Sequence, residues 1–354
     1  MFKNRNRTRR GARPRRAMAL VLAFVACASL CACASQEPAS SHERPEAGQE
    51  RDVQRVEVRV ASLKGPTSVG LVGLMSDSEQ GGFDNEYSFT IAGAADEVLP
   101  GLANGSIDIA LVPANAAATL YSKTGGGVKA VDVNTLGVLY VVTGDESVGS
   151  IADLAGRKVV MTGKGTTPEH VMGYLLAQAG IDGSAELDFK SEAGEVAAVL
   201  AQDPSAIAVL PEPYVTAVCA QNAGLSARVS LTEEWEALQG EDGGKLVTGV
   251  TAVRTEFLEQ HPQAVAEFVE AQRASVERVN ADPAEASELV AKYGIIEKPS
   301  IARKAIPGCN LTCIAGDEMK AVLSGYLEVL FEEDAASVGG ALPQDDFYAT
   351  ELAR

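Results

Sequence analysis

From Val56 onward the sequence alternates repeatedly between short apolar runs of strand character and segments with helical spacing. This alternation constrains the chain more than any other feature, because repeated βα units build α/β layers on a parallel sheet. Val56, Val58 and Val60 alternate with polar residues, as in a half-buried strand. Gly65-Pro66 follows, and Pro66 suits the first turn of a helix. Tyr87–Gly93 and Ile107–Pro113 are further strands, with a helix expected over Ala94–Ala103. Asn115–Tyr121 is helical and ends before Gly125-Gly126-Gly127. Val128–Val142 reads as one long β-rich run.

A second set begins near Thr143. It opens with a short helix at Ser150–Leu154 and a strand at Val159–Thr162. The helix Thr166–Ala179 comes next, with Thr166 and Glu169 at capping-box spacing and Pro168 in its first turn. Strands at Leu187–Phe189 and Ile207–Leu210 alternate with helices at Glu195–Gln202 and Pro213–Asn222. Leu246–Val253 is a strand expected to rejoin the first set. The rest is mostly helical, over Pro262–Asn280, Pro283–Tyr293 and Asp317–Asp334. Two βα sets joined by β segments near residues 142 and 246 imply two lobes, two crossovers and a cleft between them, where small ligands usually bind.

Composition agrees with two domains. The chain has 354 residues and is 46% hydrophobic, enough for real cores and too apolar for a disordered chain. Charge is segregated. Residues 1–32 hold eight of the 30 Lys and Arg and no acid, so the remainder carries 22 basic against 48 acidic residues, a net charge of −26. No basic face is available for phosphates and only 5% of residues are aromatic, so nucleic acid is not expected as a partner.

The basic segment Arg5–Arg16 precedes the apolar stretch Ala17–Ala32, which is short for a spanning helix and suited to a signal peptide. Leu30-Cys31-Ala32-Cys33 fits the lipoprotein pattern, with diacylglycerol expected on the Cys33 sulfur. Residues 1–32 are thus read as leader. Residues 33–53, rich in Ser, Glu, Pro and Gln, are read as a flexible tether reaching roughly 25 Å. This places the body outside the cytoplasm, anchored by lipidated Cys33 to the outer face of a bacterial cell membrane. No later stretch of sequence is apolar and long enough to span.

Four segments taken in order carry a resemblance. They are Ser62-Leu63-Lys64-Gly65-Pro66-Thr67-Ser68, Ile107–Asn115 (IDIALVPAN), Ser150–Val159 (SIADLAGRKV) and Thr162–Glu169 (TGKGTTPE). The chain resembles the substrate-binding lipoproteins of ATP-binding-cassette (ABC) importers over roughly residues 54–350. The nearest set is the nitrate/sulfonate/taurine type, which shares its fold with thiamine-pyrimidine-precursor binding proteins. The resemblance implies an α/β, two-lobed periplasmic-binding-protein type II fold with two chain crossovers at the hinge. Lobe one would comprise 54–141 plus 247–354, and lobe two 142–246. It further implies a monomer that closes on a small-molecule solute and docks on a permease whose ATPase is another chain. No cofactor and no catalytic residue are expected.

In such folds the solute meets strand ends and helix N-termini. Four segments have that character here. Ser62, Lys64, Thr67 and Ser68 form the first, and Asn115 after Pro113 the second. Lys164, Gly165, Thr166 and Thr167 form the third. Thr166 is expected to be occupied as a cap, which favours Thr167 and the Gly165 N–H as contacts. The fourth is Glu212 with Tyr214, where Glu212 would select an amine, hydroxyl or amide donor. Thr135, beside Asn134, lies in the expected hinge strand. Lys64, Lys164 and the helix N-termini favour an anionic group, while an uncharged polar solute stays open.

Cys309 and Cys313 (CNLTC) are expected to form a disulfide, which an exported chain permits. No metal site is expected, since no His or third Cys lies near them. The three His residues are scattered, and no H-E-x-x-H, G-x-S-x-G or P-loop motif occurs. An enzyme related to pyrimidine-precursor proteins on this fold is therefore the weaker alternative, as is an extracytoplasmic ligand sensor.

Overall fold

The computed structural model describes residues 55–240 and 244–352. The expected leader, Cys33 and the whole of the expected tether lie outside the described residues. In chain order, the first elements are β1 (Glu57–Leu63), α1 (Pro66–Val69), α2 (Val72–Glu79), β2 (Glu86–Ala92), α3 (Leu99–Asn104), β3 (Ile109–Pro113), α4 (Ala114–Thr124) and β4 (Val128–Leu136). Next come β5 (Leu139–Thr143), β6 (Lys158–Met161), α5 (Thr167–Gln178), β7 (Glu186–Phe189), α6 (Ala193–Gln202), β8 (Ile207–Pro211), α7 (Tyr214–Gln221), β9 (Ser226–Ser230) and α8 (Leu231–Gln239). The chain ends with β10 (Val247–Arg254), α9 (Thr255–Gln260), α10 (Pro262–Ala281), α11 (Pro283–Lys292), α12 (Pro299–Ala305), β11 (Leu311–Ala315) and α13 (Gly316–Glu333).

The strands form two sheets, ordered β11-β4-β10-β3-β1-β2 and β7-β6-β8-β5-β9. The expected parallel sheets are mixed. β1, β2 and β3 run parallel, as do β6, β7 and β8. β10 pairs antiparallel with β3 and β4, and β5 pairs antiparallel with β8 and β9. β5 and β10 are the strands by which the chain enters each sheet from the other instead of through a local βαβ unit, and the edge strand β11 also pairs antiparallel with β4.

The run Val128–Val142 is not one strand. It breaks at Gly137-Val138, and the chain passes there from the first sheet to the second. Close packing of the Thr232 side chain explains the glycine, since a Cβ on Gly137 would lie 2.1 Å from Thr232 Oγ1 and 3.0 Å from its Cβ. The chain returns to the first sheet at β10. Sequence periodicity misses α2, β9, α8, α9, α12 and β11, because short elements with mixed burial carry little periodic signal. The helix expected over Ala94–Ala103 is a 3₁₀ turn at Ala95–Glu97 followed by α3, interrupted near Pro100. The helix at Ser150–Leu154 is a 3₁₀ turn over Ile151–Leu154.

One apolar cluster runs from Ala110, Val112 and Val250 of the first sheet through Leu323 and Tyr326 of α13 to Val141, Val159 and Met161 of the second. Trp235 of α8 is fully buried in it, 5.5 Å from the Tyr326 ring and donating Nε1–H to Gly244 O at 2.8 Å. The two sheets thus share a continuous apolar seam on this side. A polar cluster interrupts the first core. Asp132 of β4 is fully buried, and its Oδ1 accepts from Thr251 Oγ1 at 2.9 Å and Gln272 Nε2 at 3.0 Å. Its Oδ2 has no hydrogen-bond partner. Burial pushes its pKa up to about 7, against those two bonds and the nearby Arg273 charge. Asp108, also buried, sits between the guanidinium groups of Arg59 (2.7 Å) and Arg254 (3.2 Å), tying β1 to the start of β3 and the end of β10.

The expected Cys309–Cys313 disulfide does not form. Both thiols are free, and each is buried in a different apolar cluster. Cys309 Sγ lies 3.4 Å from Ala305 O, and Cys313 Sγ lies 3.7 Å from Val269 O. Cys313 is the third residue of β11, and extended chain at about 3.3 Å per residue carries it beyond the span of a disulfide.

Candidate functional site

Six parallel strands end on one cavity. Leu63-Lys64, Gly93–Asp96 and Pro113 follow or close β1, β2 and β3 of the first sheet. Thr162–Lys164, Lys190–Ala193 and Pro211 follow or close β6, β7 and β8 of the second. The space between them measures about 390 Å³. Strand carboxyl ends in open α/β sheets form a crevice because the chain leaves each one in a loop, with backbone groups free to face a ligand. Two sheets arranged in this way enclose the crevice from both sides. A larger depression of about 530 Å³ beside Arg55 lacks this setting, and its Glu267 carboxylate already accepts from Asp84 N, Asn85 N and Tyr87 OH.

Four of the residues expected from sequence line the cavity: Lys64, Lys164, Thr166 and Tyr214. Lys64 is on the first sheet's side and Lys164 on the second's. Among the described residues neither forms an ion pair. Lys164 Nζ stands 5.9 Å from the Phe189 ring centroid. Tyr214 is half-buried at the start of α7, and burial and then the Glu192 charge push its phenol upward. Thr166 does not cap α5. Its Oγ1 donates to Gly163 O at 2.8 Å.

The other expected residues are occupied elsewhere. Ser62, Thr67 and Ser68 close the turn after β1. Thr67 and Ser68 donate to Leu63 O at 2.9 and 2.7 Å, and the Ser62 and Ser68 hydroxyls lie 2.6 Å apart. Gly65 in that turn has φ +150°, which requires glycine. Asn115, on α4, is buried and bridges the two sheets' sides, donating to Gly165 O at 3.3 Å and Ser337 O at 3.1 Å. Thr167, fully buried, donates to Asn115 Oδ1 at 3.3 Å. The Gly165 N–H is taken by the Glu169 carboxylate. Thr135 donates to Asn134 Oδ1 at 2.9 Å in the buried hinge strand.

Glu212 does not line the cavity. It is 7% exposed and accepts from Thr216 N at 3.1 Å and Thr216 Oγ1 at 2.9 Å. Burial pushes its carboxyl above the usual range despite those bonds.

Sequence reasoning missed Asp96, Lys190 and Glu192, which also line the cavity. Lys190 donates to both Asp188 oxygens, at 3.0 and 3.2 Å. Glu192, at the N-cap position of α6, reaches across so that a Cβ on Gly93 would lie 3.0 Å from its Oε1. The available signal was positional: each of these residues follows a strand of the two sets within a few positions.

Among the described residues, no helix is long and apolar enough to cross a membrane, and no three His, Cys, Asp or Glu side chains are placed to hold a metal ion. His170 and His261 do not line the cavity.

Two sheets meeting at a cleft of strand ends define a two-lobed periplasmic-binding-protein fold of type II, with two chain crossovers at the hinge. Over residues 90–286 the chain matches the NMT1/THI5-like family, and it belongs to that family. An ABC transporter structure from Parabacteroides distasonis is similar at a TM-score of 0.67 and 22% identity, covering 82% of this chain and 98% of that one. The periplasmic aliphatic sulphonate binding protein of Escherichia coli is similar at 0.64 and 17%, covering 81% and 92%. A Candida albicans protein with the generic periplasmic binding protein fold is similar at 0.56 and 13%, covering 82% and 93%. No curated protein matches the chain in sequence.

Proposed function

We propose that this chain is the extracytoplasmic solute-binding component of an ABC importer. It captures a small polar or anionic solute between a lobe of residues 54–141 plus 247–354 and a lobe of residues 142–246. The closed form delivers the solute to the permease, and the ATPase of another chain drives transport. Lipidated Cys33 holds the body at the outer face of the membrane, and no catalytic step is assigned to it. The observation that supports this reading most is the cavity made by six strand ends, with Lys64 and Lys164 facing it from opposite sides. Periplasmic binding neighbours of the same fold, one of them named for aliphatic sulphonates, support it in turn. Lysines from both sides hold an anionic group best when the lobes are closed, so binding and closure are coupled.

Native mass spectrometry and thermal shift of the leader-free body test the reading. Sulfonates, nitrate, amino acids and pyrimidines are the candidate solutes. A solute that raises the melting temperature should lose most of that shift in the Lys64→Ala/Lys164→Ala variant. A body unshifted by all of them would remove the solute-binding reading. Cys33→Ala in the full chain should release the protein from the membrane fraction, and retention there would refute the lipid anchor.

A further inference from the structure

Three polar side chains from three elements meet inside the first core. Asp132 of β4, Thr251 of β10 and Gln272 of α10 are each fully buried. Thr251 Oγ1 lies 2.9 Å from Asp132 Oδ1 and 3.2 Å from Gln272 Oε1, and Gln272 Nε2 lies 3.0 Å from Asp132 Oδ1. The triangle has three sides, and each side needs one proton. The Thr251 hydroxyl supplies one and the Gln272 amide another. A carboxylate supplies none, so an ionised Asp132 leaves one side as a contact between two bare acceptors. A neutral carboxyl with its proton on Oδ1 completes the set. Oδ1 then accepts from Gln272 and donates to Thr251, and Thr251 donates to Gln272. Exchanging the two atoms of the Gln272 amide leaves the count of protons unchanged. This apex needs an oxygen that both donates and accepts, which a carboxylic acid has and Asn lacks. Burial favours the neutral form as well. Of the charged and titratable groups around it, α10 brings Arg273, which acts against the proton, and β11 brings the Cys313 thiol. Glu270 and Glu277 on α10 are exposed. Arg254 of β10 is held by Asp108 and Glu256, Lys129 of β4 donates to Asp346 O, and α1 has no titratable side chain.

Two routes lead from this triangle to the strand-end cavity. The first runs along α10. One helical turn after Gln272 stands Ser275, also buried, whose hydroxyl donates to Gly70 O at 2.6 Å and accepts from Gly73 N at 3.0 Å. The approach is close, since a Cβ on Gly73 would lie 2.8 Å from Ser275 Oγ. Gly70 is the C-cap of α1, and α1 begins at Pro66, just after Lys64. The second route runs through β10. Asn134 donates to Thr251 Oγ1 at 3.2 Å, and a Cβ on Gly249 would lie 2.6 Å from Asn134 Oδ1 and 3.1 Å from Thr67 Cγ2. Thr67 in turn donates to Leu63 O at 2.9 Å. Both routes end on the turn that carries Lys64 into the cavity. We infer that Asp132 is a proton switch: with its proton it ties α10 to β4 and β10 and fixes the Lys64 turn, and without it that tie is partly released. The proton comes from solvent and returns to it. Solute capture is then favoured on the acid side, and bound solute raises the proton affinity of Asp132 by the same linkage. This consequence for capture rests on the solute-binding reading above, whereas the switch does not.

Carbon-13 NMR of the aspartate carboxyls and amide hydrogen exchange test the switch, both on the full-length protein between pH 6 and pH 8, a window that brackets the Asp132 titration. The carboxyl resonance lost in Asp132→Asn should titrate in that window. Amide protection, corrected for the intrinsic pH dependence of exchange, should fall about fivefold over α10 and over residues 66–75 as pH rises, as expected for one hydrogen bond. In Asp132→Asn, protection there should be independent of pH and close to the wild-type value at pH 8. Gln272→Met offers a second variant that keeps the carboxyl. Its Asp132 resonance should still titrate, while residues 66–75 no longer follow pH. An Asp132 resonance that is ionised across the window would overturn the switch. A resonance that titrates while protection of residues 66–75 stays constant would overturn the link to the Lys64 turn. For capture the probe is methanesulfonate, whose affinity should weaken about fivefold from pH 6 to pH 8 in the wild type and stay level in Asp132→Asn. The same pH dependence in both proteins would overturn the link to capture. Absence of binding at either pH counts against the solute reading alone, because the carboxyl resonance and the exchange decide the switch.

Discussion

Asp132→Asn should reverse part of this protein's dependence on pH. The wild-type carboxyl is fully buried and titrates near pH 7, against about 3.9 in an unfolded chain. Between those two values the folded state binds a proton that the unfolded state has released. Stability therefore falls as pH rises through this window, and levels off above about pH 7. Three pK units correspond to about 4 kcal/mol in total, of which about 2–3 kcal/mol is lost between pH 5 and pH 8. Asn keeps the Oδ1 acceptor for Thr251 and Gln272 and removes the charge. Its amide stands where Oδ2 has no partner, which costs about 1–3 kcal/mol at every pH.

The difference in unfolding free energy, variant minus wild type, should accordingly rise by about 2–3 kcal/mol from pH 5 to pH 8. Other carboxylates titrate alike in both proteins and cancel in that difference. Urea denaturation of both proteins at four pH values measures it, provided that the m-values match. A difference that stays constant with pH would show that Asp132 is ionised in the folded state across the range, and would refute the argument from burial.

Three further outcomes follow from the same geometry. Asp108 is desolvated, yet Arg59 and Arg254 together hold its carboxyl below the usual range, so Asp108→Ala should destabilise the body by about 3 kcal/mol in denaturant melts. An effect under 1 kcal/mol would contradict this. Asn115→Ala removes the bridge among Gly165, Thr167 and Ser337, with an expected loss of about 2 kcal/mol and weaker solute binding through a loosened Lys164 loop. Unchanged affinity in a folded variant would show that the bridge does not position that loop. Cys309 and Cys313 should resist thiol reagents in the native state, react once unfolded, and leave the melting temperature unmoved by reductant; a reductant-dependent shift would indicate a disulfide after all.

The α/β alternation and the strand ends around Ser62, Pro113, Thr162 and Pro211 were legible because they depend on local periodicity and on punctuation by Gly and Pro. Four lining residues, Lys64, Lys164, Thr166 and Tyr214, followed from strand-end position alone. What sequence could not distinguish was which polar side chain after a strand faces the cleft and which one turns back. Thr67 and Ser68 turn back to Leu63 O, while Asn115 and Thr167 join one another from elements 52 residues apart. Such choices depend on which backbone acceptors lie close in space, and that is decided only when the sheets meet. The break at Gly137 is of the same kind, since it is needed only where Thr232 packs against it. The separation of Cys309 from Cys313 likewise comes from the extension of β11, whose partner strand β4 lies more than 170 residues earlier in the chain. Local pattern thus determined which elements form, and the contacts between distant elements decided what each polar residue is used for.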